Sequence, residues 1–146
     1  MPLYYPNQIG IYSTGILTKE AATASAVVNI VNLNAYEHHI NIEILDWSSY
    51  SNPVKLPVLI GENSEASFPY PLFGNHSASF YAELDETVNF YEIRISYPKH
   101  ANIIANCFGR SALPYTIQEG NTVYHKQLVK IHEDFSSILP IYTNPQ

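Results

Sequence analysis

The chain has 146 residues, a length that indicates one domain large enough to bury a hydrophobic core without disulfides or metal ions. Seven Lys and Arg against thirteen Asp and Glu give a formal net charge of -6. This balance argues against nucleic acid as a partner, because so few cations cannot neutralise a phosphate backbone. No run of about 18 apolar residues occurs, so we expect no membrane insertion.

The first predicted element is an extended N-terminal arm over residues 1–16. Its apolar residues are interrupted by Pro2, Pro6, Gly10 and Gly15. Apolar segments left in water cost free energy, so we expect this arm to be covered, either by its own domain or by a neighbouring subunit. The two prolines fit an arm that is extended but pairs only at the edge of a sheet.

Residues 17–134 follow a period of two, which predicts strands with one face in a core. Ile40, Ile42 and Ile44 alternate with polar residues, and similar runs occupy residues 78–84 and 91–97. The predicted strands lie near residues 24–33, 38–47, 54–60, 64–70, 77–84, 88–97, 102–109, 114–118 and 122–132. About eight or nine short strands separated by turn formers indicate an all-β fold, a single β-sandwich or a barrel.

Two predictions concern the end of the chain. Glu119-Gly120-Asn121 lies between two β-rich runs and predicts a tight hairpin. Residues 135–146 form a C-terminal tail that contains the apolar run 138–142. As with the arm, we expect this apolar run to be covered.

The one cysteine, Cys107, excludes a disulfide-held fold and a thiolate metal cluster. It lies in the β-rich run 103–108, where we expect a small buried hydrophobe, with a cross-link between subunits as the alternative. The first six residues contain no basic region and no long apolar region, so no signal peptide is predicted. We therefore expect synthesis in the cytoplasm and release by lysis for any role outside the cell.

No motif for catalysis, phosphate binding or dinucleotide binding is present, so we expect no enzyme and no cofactor. Six histidines lack the spacing of a zinc site, and we expect no metal ion there. The acidic corner at Glu83, Asp85 and Glu86 lacks the glycine and the number of ligands that a calcium loop requires. We interpret these groups as structural or solvated.

Twelve tyrosines and six phenylalanines are the strongest signal in the composition. Aromatic residues dominate β-sandwich cores and protein interfaces, and we favour that role for them. The alternative is a stacking platform for sugars, built from Trp47, Tyr50, Tyr70, Phe73 and Tyr81.

One strand pattern is formed by residues 28–33, the run from Ile40 to Trp47 and the following Pro53-Val54. This pattern resembles that of the small β-sandwich proteins of Bacillus-type spore surfaces, including endospore appendage subunits. The resemblance spans residues 24–97. It implies a jelly-roll fold, no signal peptide and self-assembly through an extended N-terminal arm. Appendage subunits commonly carry cysteines in that arm, whereas residues 1–16 here have none. Assembly would then depend on packing and strand addition, with Cys107 as the available cross-link.

The sequence thus favours a self-assembling structural subunit of a surface fibre, ring or shell on a spore or virion, with copies of itself as partners. The expected contact residues between subunits are Leu3, Tyr4, Tyr5, Ile9, Ile11, Tyr12, Ile141 and Tyr142. Deletion of residues 2–14 is expected to leave a folded monomer. The alternatives are a carbohydrate-binding module with a surface glycan as its partner, or a virion structural protein.

Overall fold

Alternating apolar side chains build two antiparallel sheets that pack face to face as a β-sandwich. The structure is a computed structural model, and it describes residues 8–131. Within that range, the predicted all-β fold and the β-sandwich are confirmed. The expected residues Leu3, Tyr4, Tyr5, Ile141 and Tyr142 lie outside the described residues, as does the tail over 135–146.

Thirteen strands occur in the described range, more than the eight or nine predicted, because six of them have only two or three residues. They are β1 (Ile9–Ser13), β2 (Leu17–Thr18), β3 (Thr23–Asn32), β4 (His38–Asp46), β5 (Val54–Lys55), β6 (Leu59–Ile60), β7 (Ser64–Glu65), β8 (Tyr70–Leu72), β9 (His76–Glu83), β10 (Phe90–Pro98), β11 (Ile103–Ser111), β12 (Ile117–Val123) and β13 (Val129–Ile131). A 3₁₀ turn, His125–Gln127, precedes β13.

The first sheet has the strand order β13-β1-β10-β4-β5, with β2 against β10 and β8 against β4. The second sheet has the order β12-β11-β3-β9-β6-β7. The long strands alternate between the sheets in chain order, with β3, β9 and β11 in the second sheet and β4 and β10 in the first. Each long strand therefore faces the core with alternate residues and leaves the others on an outer face.

The core consists of the apolar residues that the alternation predicts. Ile40, Ile42 and Ile44 of β4 and the odd-numbered residues 91–97 of β10 come from the first sheet. Phe80 of β9 and the even-numbered residues 26–30 of β3 meet them from the second. Burial of these side chains from both sheets stabilises the sandwich and fixes which face of each strand looks outward.

The segment expected to be a free arm is in part a strand of its own domain. Strand β1 pairs antiparallel with β10 on one side and with β13 on the other. Tyr12 points into the sandwich, where its ring stacks on Tyr97 with centroids 4.8 Å apart. The sandwich therefore includes residues 9–13, which were expected to belong to the arm, because this alternating run has a core-facing side to bury.

The predicted hairpin at residues 119–121 is wrong. Strand β12 continues from Ile117 to Val123, and these three residues lie at an irregularity in its pairing with β11. Asn121 is buried. Its side-chain oxygen accepts hydrogen bonds from the Glu20 N–H and the Thr23 hydroxyl, both at 2.9 Å. These bonds hold β12 to the turn before β3, so the glycine at 120 serves a bulge in place of a reversal.

Candidate functional site

The outer face of the first sheet carries an apolar stripe made of Ile9, Ile11, Val129 and Ile131. Ile11 is paired with Ile131, and Val129 is opposite Ser13, so all four side chains lie on the same face. Ile9 is 38% exposed and Val129 is 61% exposed. Of the predicted contact residues, Ile9 and Ile11 are thus at the surface, whereas Tyr12 is half-buried inside the sandwich.

A groove of about 680 Å³ borders this stripe. Ile9 and Ile11 form part of its wall, and Phe68 and Val58 contribute from the segment after β5. Its polar lining includes Glu43 and Lys55, which form an ion pair at 2.9 Å. The first sheet therefore offers an apolar surface beside a groove of mixed character.

A buried carboxylate lies on the same outer face, beyond the stripe. Glu92 of β10 accepts hydrogen bonds from the Ser13 hydroxyl, from Trp47 Nε1 at 2.8 Å and from Arg94 Nε at 2.9 Å. Burial alone would raise its pKa, but the bonds from Arg94, Ser13 and Trp47 together outweigh that effect and hold the pKa below its ordinary value. Because Ser13 belongs to β1, this network ties β1 to β10.

Cys107 lies in the core between the two sheets and is fully buried. Burial raises the pKa of its thiol to about 12, so almost no reactive thiolate is present at neutral pH. A cross-link between folded subunits would require the core around β11 to open. The position of Cys107 therefore fits the expected role of a small buried hydrophobe.

The outer face of the second sheet carries a pocket around Arg110, here named the arginine pocket. Arg110 of β11 is opposite Ser25 of β3, which is in turn opposite Glu83 of β9, so these three side chains share one face. The guanidinium carbon of Arg110 lies over two tyrosine rings, 5.4 Å from the centroid of Tyr81 and 4.4 Å from that of Tyr115. The pocket has a volume of about 680 Å³.

Both tyrosines of the arginine pocket are held in place. The Tyr81 hydroxyl donates to the carbonyl of Gly61 at 2.9 Å and accepts from the N–H of Asn63 at 2.8 Å. Tyr115 lies in the loop between β11 and β12, which is closed by a backbone hydrogen bond from Ser111 to Thr116 at 2.9 Å. Tyr81, near the C-terminal end of β9, and Tyr115, just after β11, therefore lie toward the same end of the sheet, on either side of Arg110.

Arg110 lacks the partner that its charge requires. Its Nε is buried and has no hydrogen-bond acceptor among residues 8–131, and none of the ion pairs in that range includes it. The other arginine of the chain, Arg94, is paired with Glu92. The sequence analysis did not predict a functional role for Arg110. The pattern that could have indicated one is its position two residues after Phe108, on the outward-facing side of β11.

The sugar platform expected from five aromatic residues is not assembled. Tyr50 contacts Phe90, Tyr70 contacts Phe80 in the core, Phe73 contacts His76, Trp47 bonds to Glu92 and Tyr81 lies beside Arg110. Only Tyr81 of the five lines the arginine pocket. Its neighbour there is Tyr115, which the sequence pattern did not single out.

The histidines do not form a metal site in the part of the chain that the structure describes, where no group of three or more His, Cys, Asp or Glu could hold an ion. His38 and His100 face each other with ring centroids 5.4 Å apart. Burial lowers the pKa of His38, and the nearby His100 and His39 lower it further, so the neutral imidazole is favoured. In the same range, no helix is long and apolar enough to cross a membrane.

No protein-family model and no curated protein matches the chain. Among solved structures, the chain is similar to the crystal structure of Thermotoga maritima 1070, with a TM-score of 0.43 and 14% sequence identity. The alignment covers 89% of this chain and 97% of the Thermotoga chain. A likeness at this level carries no argument about function.

Proposed function

We propose that the protein is a self-assembling structural subunit of a surface fibre, ring or shell. The observation that carries the proposal is the apolar stripe, which lies on the strands that lead to both apolar ends of the chain. Exposed apolar surface of this kind is typical of sites that meet another protein. We propose no catalytic activity for it.

The occupant that we propose for the stripe is the segment 1–7 of a second copy. Within the described residues, β13 pairs only with β1, so its other side is an edge to which a strand can be added. Residues 9–13 are already used by β1, which leaves residues 1–7 for the contact between copies. Seven extended residues span roughly 23 Å, longer than a five-residue strand.

The finer description of fold and location is part of the same proposal. A jelly-roll arrangement is supported by the alternation of β3, β4, β9, β10 and β11 between the two sheets. A place on a spore or virion surface is proposed from the resemblance to spore-surface subunits. A virion structural protein would use the same contact between copies.

The test compares the full chain with three variants by size-exclusion chromatography with light scattering and by negative-stain microscopy. Deletion of residues 2–7 removes the proposed occupant, and Val129→Glu places a charge on the stripe. The matched control is Val54→Glu, because Val54 is 59% exposed at the opposite edge of the same sheet.

We expect rings or fibres from the full chain and from the control, and folded monomers from the other two variants. A full chain that stays monomeric would overturn the proposal. Assemblies that survive deletion of residues 2–7 would overturn the proposed occupant.

A second candidate function is a carbohydrate-binding module. The observation that favours it is the arginine pocket, where Tyr81, Tyr115 and polar side chains surround about 680 Å³ of space. This volume lies in the usual range for small-ligand sites, roughly 300–1,000 Å³. The site to test is therefore Tyr115 and not Trp47 or Tyr50, which lie elsewhere.

A further inference from the structure

We propose that the arginine pocket binds a sugar acid, with the carboxylate of the ligand held by Arg110. The inference deepens the carbohydrate-binding candidate by naming the class of its ligand. It is independent of the self-assembly proposal, because the pocket and the apolar stripe lie on different sheets.

The first argument is the charge of Arg110. A partly buried guanidinium without an acceptor is costly, and a natural sequence normally supplies one. Arg94 has such an acceptor in Glu92, at 2.9 Å, whereas Arg110 has none among the described residues. Glu83 lines the same pocket but forms no ion pair with it. Because Nε itself is shielded from solvent, a ligand carboxylate would accept from the terminal nitrogens of the guanidinium, which have no ion pair among the described residues either.

The second argument is that Arg110 is restrained before a ligand arrives. The two tyrosine rings hold the guanidinium by cation–π contacts, at 5.4 Å and 4.4 Å from the ring centroids. A guanidinium carries five N–H donors in a planar fork that matches both oxygens of a carboxylate. Because less side-chain freedom is lost on binding, a restrained fork binds a carboxylate more tightly than a free one.

The third argument concerns the remainder of the ligand. Four polar residues also line the pocket, namely Ser25, Asn63, Glu83 and Ser111. Their side chains offer hydrogen-bond acceptors and donors that suit the hydroxyl groups of a ligand. Tyr115 is 61% exposed and presents an aromatic surface next to them. A compound with one carboxylate and several hydroxyls fits this lining better than an apolar acid does.

The fourth argument limits the number of negative charges on the ligand. The chain has a formal net charge of -6, and Glu83 adds a carboxylate at the pocket itself. A polyanion would be strongly repelled by this negative potential, whereas a ligand with a single carboxylate would be repelled much less. We therefore infer a sugar with one acid group, of the uronate type.

The test is a titration of the full chain with glucuronate, followed by the arginine Nε–Hε signals in ¹⁵N NMR. The chain has two arginines, Arg94 and Arg110, so their signals are assigned by substitution. Glucose serves as the neutral match and acetate as the carboxylate without hydroxyls. The variants are Arg110→Gln, Arg110→Lys and Tyr115→Ala, with Lys126→Gln as a control that removes one positive charge elsewhere.

We expect glucuronate to shift the Arg110 signal and to leave the Arg94 signal unchanged. Affinity should fall roughly tenfold or more in Arg110→Gln, less in Arg110→Lys, and not at all in Lys126→Gln. The Tyr115→Ala variant should bind more weakly with Arg110 intact, which keeps the test valid if Arg110→Gln unfolds.

Other results would overturn parts of the inference separately. Equal binding of glucose would leave a carbohydrate-binding module without the carboxylate contact. An equal response to acetate would show a simple anion site and overturn the sugar. No response to glucuronate, glucose or acetate would overturn both the inference and the carbohydrate-binding candidate.

Discussion

Glu92 shows how a single residue can depart from the pattern of its strand. In β10 the alternation assigns the core to Tyr91 and Ile93 and solvent to Glu92, yet Glu92 is only 5% exposed. It is covered on the outer face by Ser13 and Trp47, which also donate hydrogen bonds to it. A buried charge is tolerated here because Ser13, Trp47 and Arg94 all donate hydrogen bonds to it.

We expect Glu92→Gln to lower the free energy of unfolding at pH 7 by about 1–3 kcal/mol, the usual cost of weakening charged hydrogen bonds in a buried network. The measurement is urea unfolding followed by tryptophan fluorescence. The control is Glu43→Gln, whose half-exposed ion pair with Lys55 should be worth about 0–1 kcal/mol. Equal effects of the two substitutions would contradict the role assigned to the network.

The same network makes stability depend on pH. The pKa of Glu92 is lower in the folded chain than its ordinary value of 4.5, so the unfolded chain binds the proton more readily. The contribution of Glu92 is therefore fully present above pH 4.5 and is lost as the pH falls through the lower, folded value. We expect the stability difference between wild type and Glu92→Gln to shrink over that interval, and a constant difference would contradict the assignment.

At the residue scale, the sequence predicted the core well and the outer faces poorly. Period-two alternation identifies Ile42, Phe80 and Ile95, because a core-facing position demands an apolar side chain whatever its neighbours are. The burial of Glu92 and the surroundings of Arg110 were not predicted, because both depend on which strands lie next to theirs. A contact between residues 79 positions apart, such as the side-chain hydrogen bond from Ser13 to Glu92, leaves no mark in local spacing.

At the scale of elements, β1 has a different role from the one its composition suggests. It lies between β10 and β13, and its Tyr12 ring stacks on Tyr97 of β10. Proline and glycine around it indicate an arm, but the short alternating run between them has a side that the core can bury. Composition alone does not reveal that residues 9–13 complete the sheet of their own domain.

We expect deletion of residues 2–14 to destabilise the domain by several kcal/mol, because it removes β1 and leaves β10 and β13 without their shared neighbour. This replaces the sequence-based expectation of a folded monomer. Deletion of residues 2–7 leaves β1 and its pairing with β10 and β13 in place, so we expect a smaller loss of stability than from deletion of residues 2–14. Thermal unfolding followed by circular dichroism measures both.

A finer comparison avoids the deletion. Tyr12→Ala should cost about 2–4 kcal/mol through the lost ring contact with Tyr97, whereas Tyr124→Ala, at a ring 57% exposed, should cost roughly 0.5 kcal/mol or less. Two results would show that the stabilising contacts lie outside β1. One is a similar effect of the two alanine substitutions, and the other is a full loss of fold when residues 2–7 are deleted.

The bulge in β12 shows why loop positions were harder to predict than strands. Glu119-Gly120-Asn121 has the composition of a reversal, and local turn chemistry favours one. The buried Asn121 side chain instead bonds to Glu20 and to Thr23, the first residue of β3, about 100 residues earlier in the chain. The distant contact decides the conformation, so a window of ten residues could not predict it.

At the scale of the whole molecule, the two outer faces carry different chemistry. The first sheet presents the apolar stripe, and the second presents the arginine pocket. Because these surfaces lie on opposite sheets of the sandwich, copies joined through the first sheet would leave the pockets of the second open. Assembly and ligand binding are therefore compatible in one protein.

The net charge predicts how assembly responds to salt. Copies that each carry -6 repel one another, whereas contact through the apolar stripe does not depend on charge. At pH 7.5, we expect the assembled fraction in sedimentation velocity to rise as NaCl goes from about 0.02 M to about 0.5 M, because the screening length falls from roughly 20 Å to roughly 4 Å. Val54→Glu adds a charge away from the stripe, so it should weaken assembly at low salt only, whereas Val129→Glu should weaken it at both concentrations. An assembled fraction that falls with salt would instead mean that ion pairs join the copies, and the stripe would lose its role.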